Sequence, residues 1–370
     1  MKEKVVILFG GESVEHDISI ITALQSMQFL KERDDLLAVY IDKSGIWWVG
    51  ENFDKIETYK NFIRMKHKEQ VSLELGTNIL LKRRNGKFVP FVNVKAMLNC
   101  CHGRIGEDGC VQGLAKMCKI PQTSPNITES ALCMDKVFLK DVLQNNNILT
   151  PAYVSFNMCT YDKEKSVREI VKKLGLPVIV KPANLGSSIG ISVCKSEDEI
   201  DDAAQLAFSF DKKIIVEKVV GNLREFNCAA LFFHEQIFCS DVREVSNHGK
   251  IYTFEDKYLE NGAKNNDVDK KLSTKIKKLT EKAYKLLDLQ GIVRIDFLYD
   301  KQNKNLYINE INTIPGSLAF YLFRGIDAGE LIESSIDQCI DANKDEKKFI
   351  KSFESDALKI YEEVGISGKK

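Results

Sequence analysis

The hydrophobic pattern changes period several times along the chain, and each change predicts an element. Residues 4–10 (KVVILFG) are an apolar run closed by Gly10-Gly11, which predicts a buried strand and a turn. Ile18, Ile21, Leu24, Met27 and Leu30 then recur at helical spacing and predict a helix with that apolar face. Further strands are predicted over 36–42 and 92–100, and the polar stretch 50–90 between them reads as an insertion with a hairpin at Arg84-Asn85-Gly86. A second set opens with a helix over 128–146 and continues with strand 153–156, helix 163–174 and strands 177–181 and 214–220. Residues 240–270 lack periodicity, and a loop of that length within a domain points to a lid, here carrying Tyr252, Phe254, Lys257 and Tyr258. A helix over 271–289 leads into strands 291–300 and 306–316, which a polar six-residue connection predicts to be antiparallel neighbours. Helices over 328–342 and 347–364 follow, with GISGKK frayed at the end.

Alternation on the last two strands brings chemistry together. It places Ile292, Arg294, Asp296 and Leu298 on one face of the first, and Leu306, Ile308, Glu310 and Asn312 on one face of the second. Two carboxylates side by side repel and are costly to desolvate. A divalent cation removes that cost, and two carboxylates with an amide suit Mg²⁺. The alternative is a structural ion pair between Arg294 and the acids.

Polar residues also gather at the turns. Glu15 stands at the start of the first helix, where a carboxylate can cap amides or take a functional role. His102-Gly103-Arg104-Ile105-Gly106-Glu107-Asp108-Gly109 follows a strand and precedes a helix, a loop able to crowd a ligand or simply to satisfy its own histidine. Ala183–Ile191 (ANLGSSIGI) joins two strands and suits a flap over phosphates rather than a P-loop, which needs a strand-to-helix turn. Lys181 lies inside the apolar strand before it and needs an anionic partner. Glu217-Lys218 repeat that arrangement, offering an acceptor and a donor to an adenine edge and a phosphate.

Composition narrows the class. Lys+Arg and Asp+Glu are equal at 53 each among 370 residues, so nothing overall favours nucleic acid or a membrane surface. No run approaches the roughly 18 apolar residues of a membrane span, and the N-terminus runs straight into a strand without the features of a signal peptide. Ten cysteines without a CxxC pair predict free thiols in a cytoplasmic protein rather than zinc or disulfides.

Collected in order, GGESVEHDIS, HGRIGEDGCVQG, SALCMDK, KPANLGSSIGIS, VEK with Glu225, EDKY, RIDF and NEINTIPG resemble the D-alanine–D-alanine ligase family of ATP-grasp enzymes across essentially the whole chain. The resemblance implies an α/β and α+β chain. A Rossmann-like domain (1–124) would precede a two-lobed ATP-grasp fold, with a central lobe (125–213) and a C-terminal lobe (214–370). It implies that Lys136, Lys181, Glu217, Lys218, Val219, Val220, Glu225, Lys257 and Asn309 line the ATP site. Asp296, Glu310 and Asn312 would hold two Mg²⁺, or Mn²⁺ in their place. Glu15, Ser187 and Tyr258 match a trio tying the lid to the first-substrate pocket. His102 would lie beside the substrates, and Arg294 with the Gly316 amide would stabilise a tetrahedral intermediate. The implied activity is ATP-dependent joining of two D-alanines by a homodimer. The chain departs from the family after Gly316: Ser317-Leu318-Ala319-Phe320-Tyr321 places Tyr321 where the family has a serine contacting the second substrate. The acceptor pocket is therefore altered, with the Ser317 or Tyr321 hydroxyl as substitute and D-serine, D-lactate or another amine as alternative acceptors.

Overall fold

The computed structural model describes residues 1–245, 268–346, 348–350 and 352–364. Its first sheet has six strands, β1 (Glu3–Gly10), β2 (Leu36–Ile41), β3 (Trp47–Gly50), β4 (Lys68–Leu73), β5 (Ile79–Arg84) and β6 (Lys87–Asn99). β1 lies between β2 and β6, parallel to both, as an α/β unit requires. The stretch 50–90 is not an appendage to this core. It supplies β4 and β5, antiparallel strands that with β3 close the order into a ring. Closure is possible because β6 is 13 residues long: its first half pairs with β5 and its second half with β1. The predicted hairpin joins β5 to β6, with Arg84 opposite Lys87 and both Asn85 and Gly86 at positive φ (47° and 81°). That backbone matches the twist of the flanking strands.

Helix α1 (His16–Phe29) turns a different side inward from the one its apolar spacing predicts. Ile21 is 41% exposed, and the buried side carries Ser19, Thr22 and Ser26 beside Ile18, Ile20 and Ala23. Ser19 accepts from Gly10 N at 2.7 Å and donates to the Cys100 carbonyl at 2.7 Å. The helix packs against polar loop backbone, so hydroxyls that can satisfy that backbone are buried in place of apolar groups.

The chain continues through α2 (Ile56–Lys60), α3 (Cys110–Met117), α4 (Ile127–Met134) and α5 (Lys136–Asn145). The single helix predicted over 128–146 is thus two. Asp135 interrupts it, and its carboxylate accepts from Val137 N (3.0 Å) and Phe138 N (3.2 Å) as the cap of α5. The second sheet, built from β7 (Tyr153–Asn157), β8 (Val178–Pro182), β9 (Ser192–Cys194) and β10 (Lys213–Lys218), has the order β7-β10-β8-β9. It shares a core with α6 (Lys163–Leu174) and α7 (Asp198–Phe208). The third sheet comprises β11 (Leu223–Phe233), β12 (Gln236–Cys239), β13 (Arg243–Val245), β14 (Val293–Asp300) and β15 (Asn305–Asn312). Its order is β12-β11-β14-β15, with β13 also on β11, and α8 (Lys270–Leu286) packs behind it. α9 (Ala328–Glu346) completes a core in which Phe9 and Leu98 of the first sheet meet Leu231, Leu318 and Leu331. The final predicted helix is reduced to α10 (Ala357–Val364), whose Leu358 and Ile360 are exposed. All ten cysteines are free thiols.

Candidate active site

β14 and β15 are antiparallel neighbours, with Asp296 opposite Glu310 and Arg294 opposite Asn312. The following pair is Phe297 with Ile308, which leaves Asn309 as an extra residue: a β-bulge. The bulge corrects the face assignment made from alternation. Leu306 and Ile308 are buried with Ile295 and Phe297 in the core, whereas Glu310 and Asn312 lie on the opposite, half-buried face with Arg294 and Asp296. Asn312 Nδ2 donates to Asp296 Oδ2 at 3.1 Å, and Arg294 grips the same carboxylate through Nε (2.7 Å) and Nη2 (2.9 Å). The structural ion pair and the cation site therefore use the same residues. Among the described residues no group of three or more His, Cys, Asp or Glu side chains forms a metal cluster. Two carboxylates and one amide oxygen still fit a hard divalent cation that keeps its other positions for water and phosphate.

A second group surrounds Glu217, which lies almost fully buried one residue before the end of β10. Lys181, from the adjacent strand β8, places Nζ 2.8 Å from Glu217 Oε2, and Lys140 of α5 places Nζ 3.1 Å from Oε1. Lys136, held at the start of α5 by the Asp135 cap, donates to the Leu185 carbonyl at 2.7 Å. Burial lowers the Lys140 pKa to about 8, against the pull of Glu217 and with repulsion from Lys181 and Lys136. Burial would raise Glu217, but Lys140 and Lys181 outweigh it and hold the carboxyl below its usual range. Lys140 and Lys181 on one carboxylate, with Lys136 close enough to repel Lys140, make a buried basic group suited to a polyphosphate. Lys140 is absent from the sequence-derived set. Its signal was the four-residue spacing from Lys136, which puts both on one helix face. It also donates to the Asn309 carbonyl at 3.2 Å, tying this group to the bulge. Lys218 is exposed beside Glu217, half-buried Val219 and Val220 follow it, and half-buried Glu225 lies on β11 opposite Leu298.

The third group assembles around Glu15. It occupies the N-cap position of α1 but caps no amide with its side chain; it accepts a hydrogen bond from Ser187 instead. Gly103 and Gly186 bring two loops against it: a Cβ on either would stand 2.6 or 3.0 Å from Glu15 Oε2. Ser187 and Ser188 both have left-handed backbone, with φ of 55° and 58°. Glu107, another residue without a sequence-derived role, accepts from Gly103 N (2.7 Å) and Ile314 N (3.1 Å). Burial and the nearby Glu15 raise its pKa to about 8, against the two amides and Arg294. His102 is buried beside Thr22, and burial lowers its pKa to about 4. Gly316 begins a turn over Gly316–Leu322. Tyr321 accepts from Arg294 Nη1 at 3.4 Å and lies 5.3 Å beneath the Arg243 guanidinium. Lys257 and Tyr258, with residues 246–267 of the segment read as a lid, lie outside the described residues, while Arg243–Val245 at its start form β13 instead of irregular loop.

This combination of sheets, lysines and acidic strand pair matches a known class of enzymes. The family model described as the D-ala D-ala ligase N-terminus matches residues 4–125, and the one described as the D-ala D-ala ligase C-terminus matches residues 142–341. The chain belongs to the D-alanine–D-alanine ligase family. Among its relatives, the D-alanine–D-alanine ligase of Thermosipho melanesiensis is 36% identical over 96% of this chain and 98% of its own length. That of Caldicellulosiruptor bescii is 34% identical over 95% and 98%. Of solved structures, the Helicobacter pylori D-alanine–D-alanine ligase superposes with a TM-score of 0.75 at 28% identity, covering 90% of this chain and 98% of that one. A D-Ala:D-Ser ligase from Enterococcus faecalis gives 0.78 at 26% identity, covering 92% and 100%.

Proposed function

We propose that the chain joins two D-alanines at the expense of ATP, through an acyl phosphate, to supply the dipeptide of peptidoglycan precursors. The observation that carries this reading is the pairing of Asp296 with Glu310 and of Arg294 with Asn312 on one face, linked through Asn309 and Lys140 to the buried lysines. Relatives at 34–36% identity bear the D-alanine–D-alanine name, whereas the D-serine enzyme is 26% identical. D-alanine is therefore the acceptor we favour despite Tyr321.

An amine does not displace oxide from a carboxylate at neutral pH, so the first D-alanine must be activated. Its carboxylate attacks the γ-phosphorus of ATP and ADP departs. Lys136 and Lys181 receive phosphate charge, and Glu217, Lys218, Val219 and Val220 meet the adenine, with Glu225 also lining the ATP site. Mg²⁺ held by Asp296, Glu310 and Asn312, with Mn²⁺ as a substitute, would neutralise charge on the transferring group. The amino group of the second D-alanine then attacks the acyl carbon. Arg294 and the Gly316 amide stabilise the oxyanion, and phosphate leaves. Glu15, joined to Ser187, orients the first substrate's ammonium, and a lid carrying Lys257 and Tyr258 excludes water from the acyl phosphate. The same reading assigns 1–124 to a Rossmann-like domain and 125–213 and 214–370 to the ATP-grasp lobes of a cytoplasmic homodimer.

The test is mass spectrometry of the product from ATP, Mg²⁺, D-alanine and a panel of acceptors, with ADP release followed in parallel. Lys181→Ala and Glu310→Gln are expected to abolish ADP formation in folded protein. Wild-type turnover in either variant, or ADP release indifferent to any D-amino acid, would sink the assignment.

A further inference from the structure

Thr22 has no part in that scheme, yet it is completely buried and joins three segments of the site. Its hydroxyl oxygen lies 2.8 Å from His102 Nε2 and accepts from Ser317 N at 3.1 Å. The Ile314 backbone faces the His102 ring and favours its protonated form, as a carbonyl does. Donor and acceptor roles follow from these partners. A carbonyl only accepts, so with Nε2 placed at Thr22 it suits a proton on Nδ1; an amide only donates, so the Thr22 oxygen accepts from Ser317. In that tautomer Nε2 is bare and accepts the Thr22 proton in the neutral ring.

The segment at the other end of this relay is in an unusual conformation. Ser317, Leu318 and Ala319 have φ of 53°, 43° and 53°, three consecutive residues with side chains in the left-handed region. Such backbone persists only where its surroundings hold it. Two restraints are the Leu318 N to Pro315 O bond at 2.8 Å and the Ser317 N to Thr22 bond. The turn runs over Gly316–Leu322 and contains Ser317–Tyr321, the stretch read from the sequence as a departure from the family pattern.

We propose that Thr22 is a positioning residue for the second substrate, fixing His102 as the Nδ1-protonated tautomer and seating the left-handed turn 317–319 beside the acceptor. His102 Nε2, committed to Thr22, shapes the pocket and does not take the proton of the incoming amine. The acceptor part of this inference rests on the proposed ligation; the tautomer does not.

The experiment therefore has two arms. Ring nitrogen shifts of the ¹⁵N-labelled wild-type chain at neutral pH, with His102 assigned by comparison with His102→Asn, are expected to show a protonated Nδ1 and a bare Nε2. A protonated Nε2 overturns the proposal whatever the enzyme makes. In the kinetic arm, Thr22→Val is expected to lower kcat/KM for the second D-alanine about tenfold, the worth of a buried hydrogen bond relay. The KM for ATP stays unchanged, and Thr22→Ser restores the wild-type value. Unchanged acceptor kinetics, or equal losses for ATP and acceptor, overturn it. Where Thr22→Val does not fold, Thr22→Ala, which leaves room for a water, is read in the same way. A wild-type chain that releases no ADP with D-alanine defeats the ligase reading and leaves the tautomer arm to decide the rest.

Discussion

Lys140 stands 3.1 Å from Glu217, and neither side chain reaches more than a trace of solvent. Removing one member of a buried pair leaves the other's charge without compensation. Lys181 remains on the second oxygen of Glu217 and limits the damage. Lys140→Met is expected to cost on the order of 2 kcal/mol in urea unfolding and to raise the KM for ATP. A variant as stable as the wild type, with unaltered ATP dependence, would show that Lys140 is dispensable.

The hydrogen bond from Ser187 to Glu15 joins residues 172 positions apart in the chain. Ser187→Ala leaves a buried carboxylate oxygen without that donor, a loss worth roughly 1–3 kcal/mol. We expect a lower kcat/KM for the first D-alanine and a small fall in Tm. Steady-state kinetics at saturating ATP checks the first, and calorimetry the second. A variant matching the wild type in both would contradict a shared role for the two loops.

Arg294 occupies both oxygens of Asp296 opposite Glu310. It thereby supplies the positive charge that two facing carboxylates need before any cation arrives. Arg294→Ala is expected to be less stable than wild type in EDTA and to gain more in Tm from Mg²⁺, because the ion then neutralises both acids alone. Thermal melts across a Mg²⁺ titration measure this. An equal Mg²⁺ shift in both proteins would separate the arginine from the metal site.

His102 gives a pH dependence whose sign is fixed. Burial holds its folded pKa near 4, below the ordinary 6.5, so between those values the unfolded chain binds a proton that the folded one refuses. Stability from this group is complete above about pH 6.5 and falls as pH drops toward 4, by at most ~1.4 kcal/mol per pH unit. His102→Asn is therefore expected to lose less stability than wild type between pH 7 and 4.5. Parallel slopes in denaturant titrations would remove the histidine from the account.

Much of this site was readable before any coordinates, because its residues sit in short motifs at fixed offsets. The Arg294, Asp296, Glu310 and Asn312 quartet gathers on one face as the paired strands suggested, and Glu15 meets Ser187 as the resemblance implied. The pairing of Lys181 with Glu217 was not named by the sequence, which asked only for an anionic partner. What escaped the sequence depends on geometry that no local period encodes. One inserted residue at Asn309 reverses the alternation of β15, so Leu306 and Ile308 could not be separated from Glu310 by counting in twos. The hydroxyls of Ser19, Thr22 and Ser26 read as the solvent side of α1 until the loop they satisfy is known. Asp135 resembles a helix interior residue until its carboxylate is seen capping Val137 and Phe138. Lys140 and Glu107 carry no local sign of their burial, because burial of a charged side chain is decided by partners distant in the chain.

The circular strand order of the N-terminal sheet has a further consequence. A strand with an unpaired side is a template onto which another polypeptide can add. Here each of the six strands already has a neighbour on either side, from β1 round through β6 and back. The stretches of this sheet with a single neighbour are short, such as residues 36–39 of β2 beside β1, so a strand added here would find only a few residues of backbone to follow.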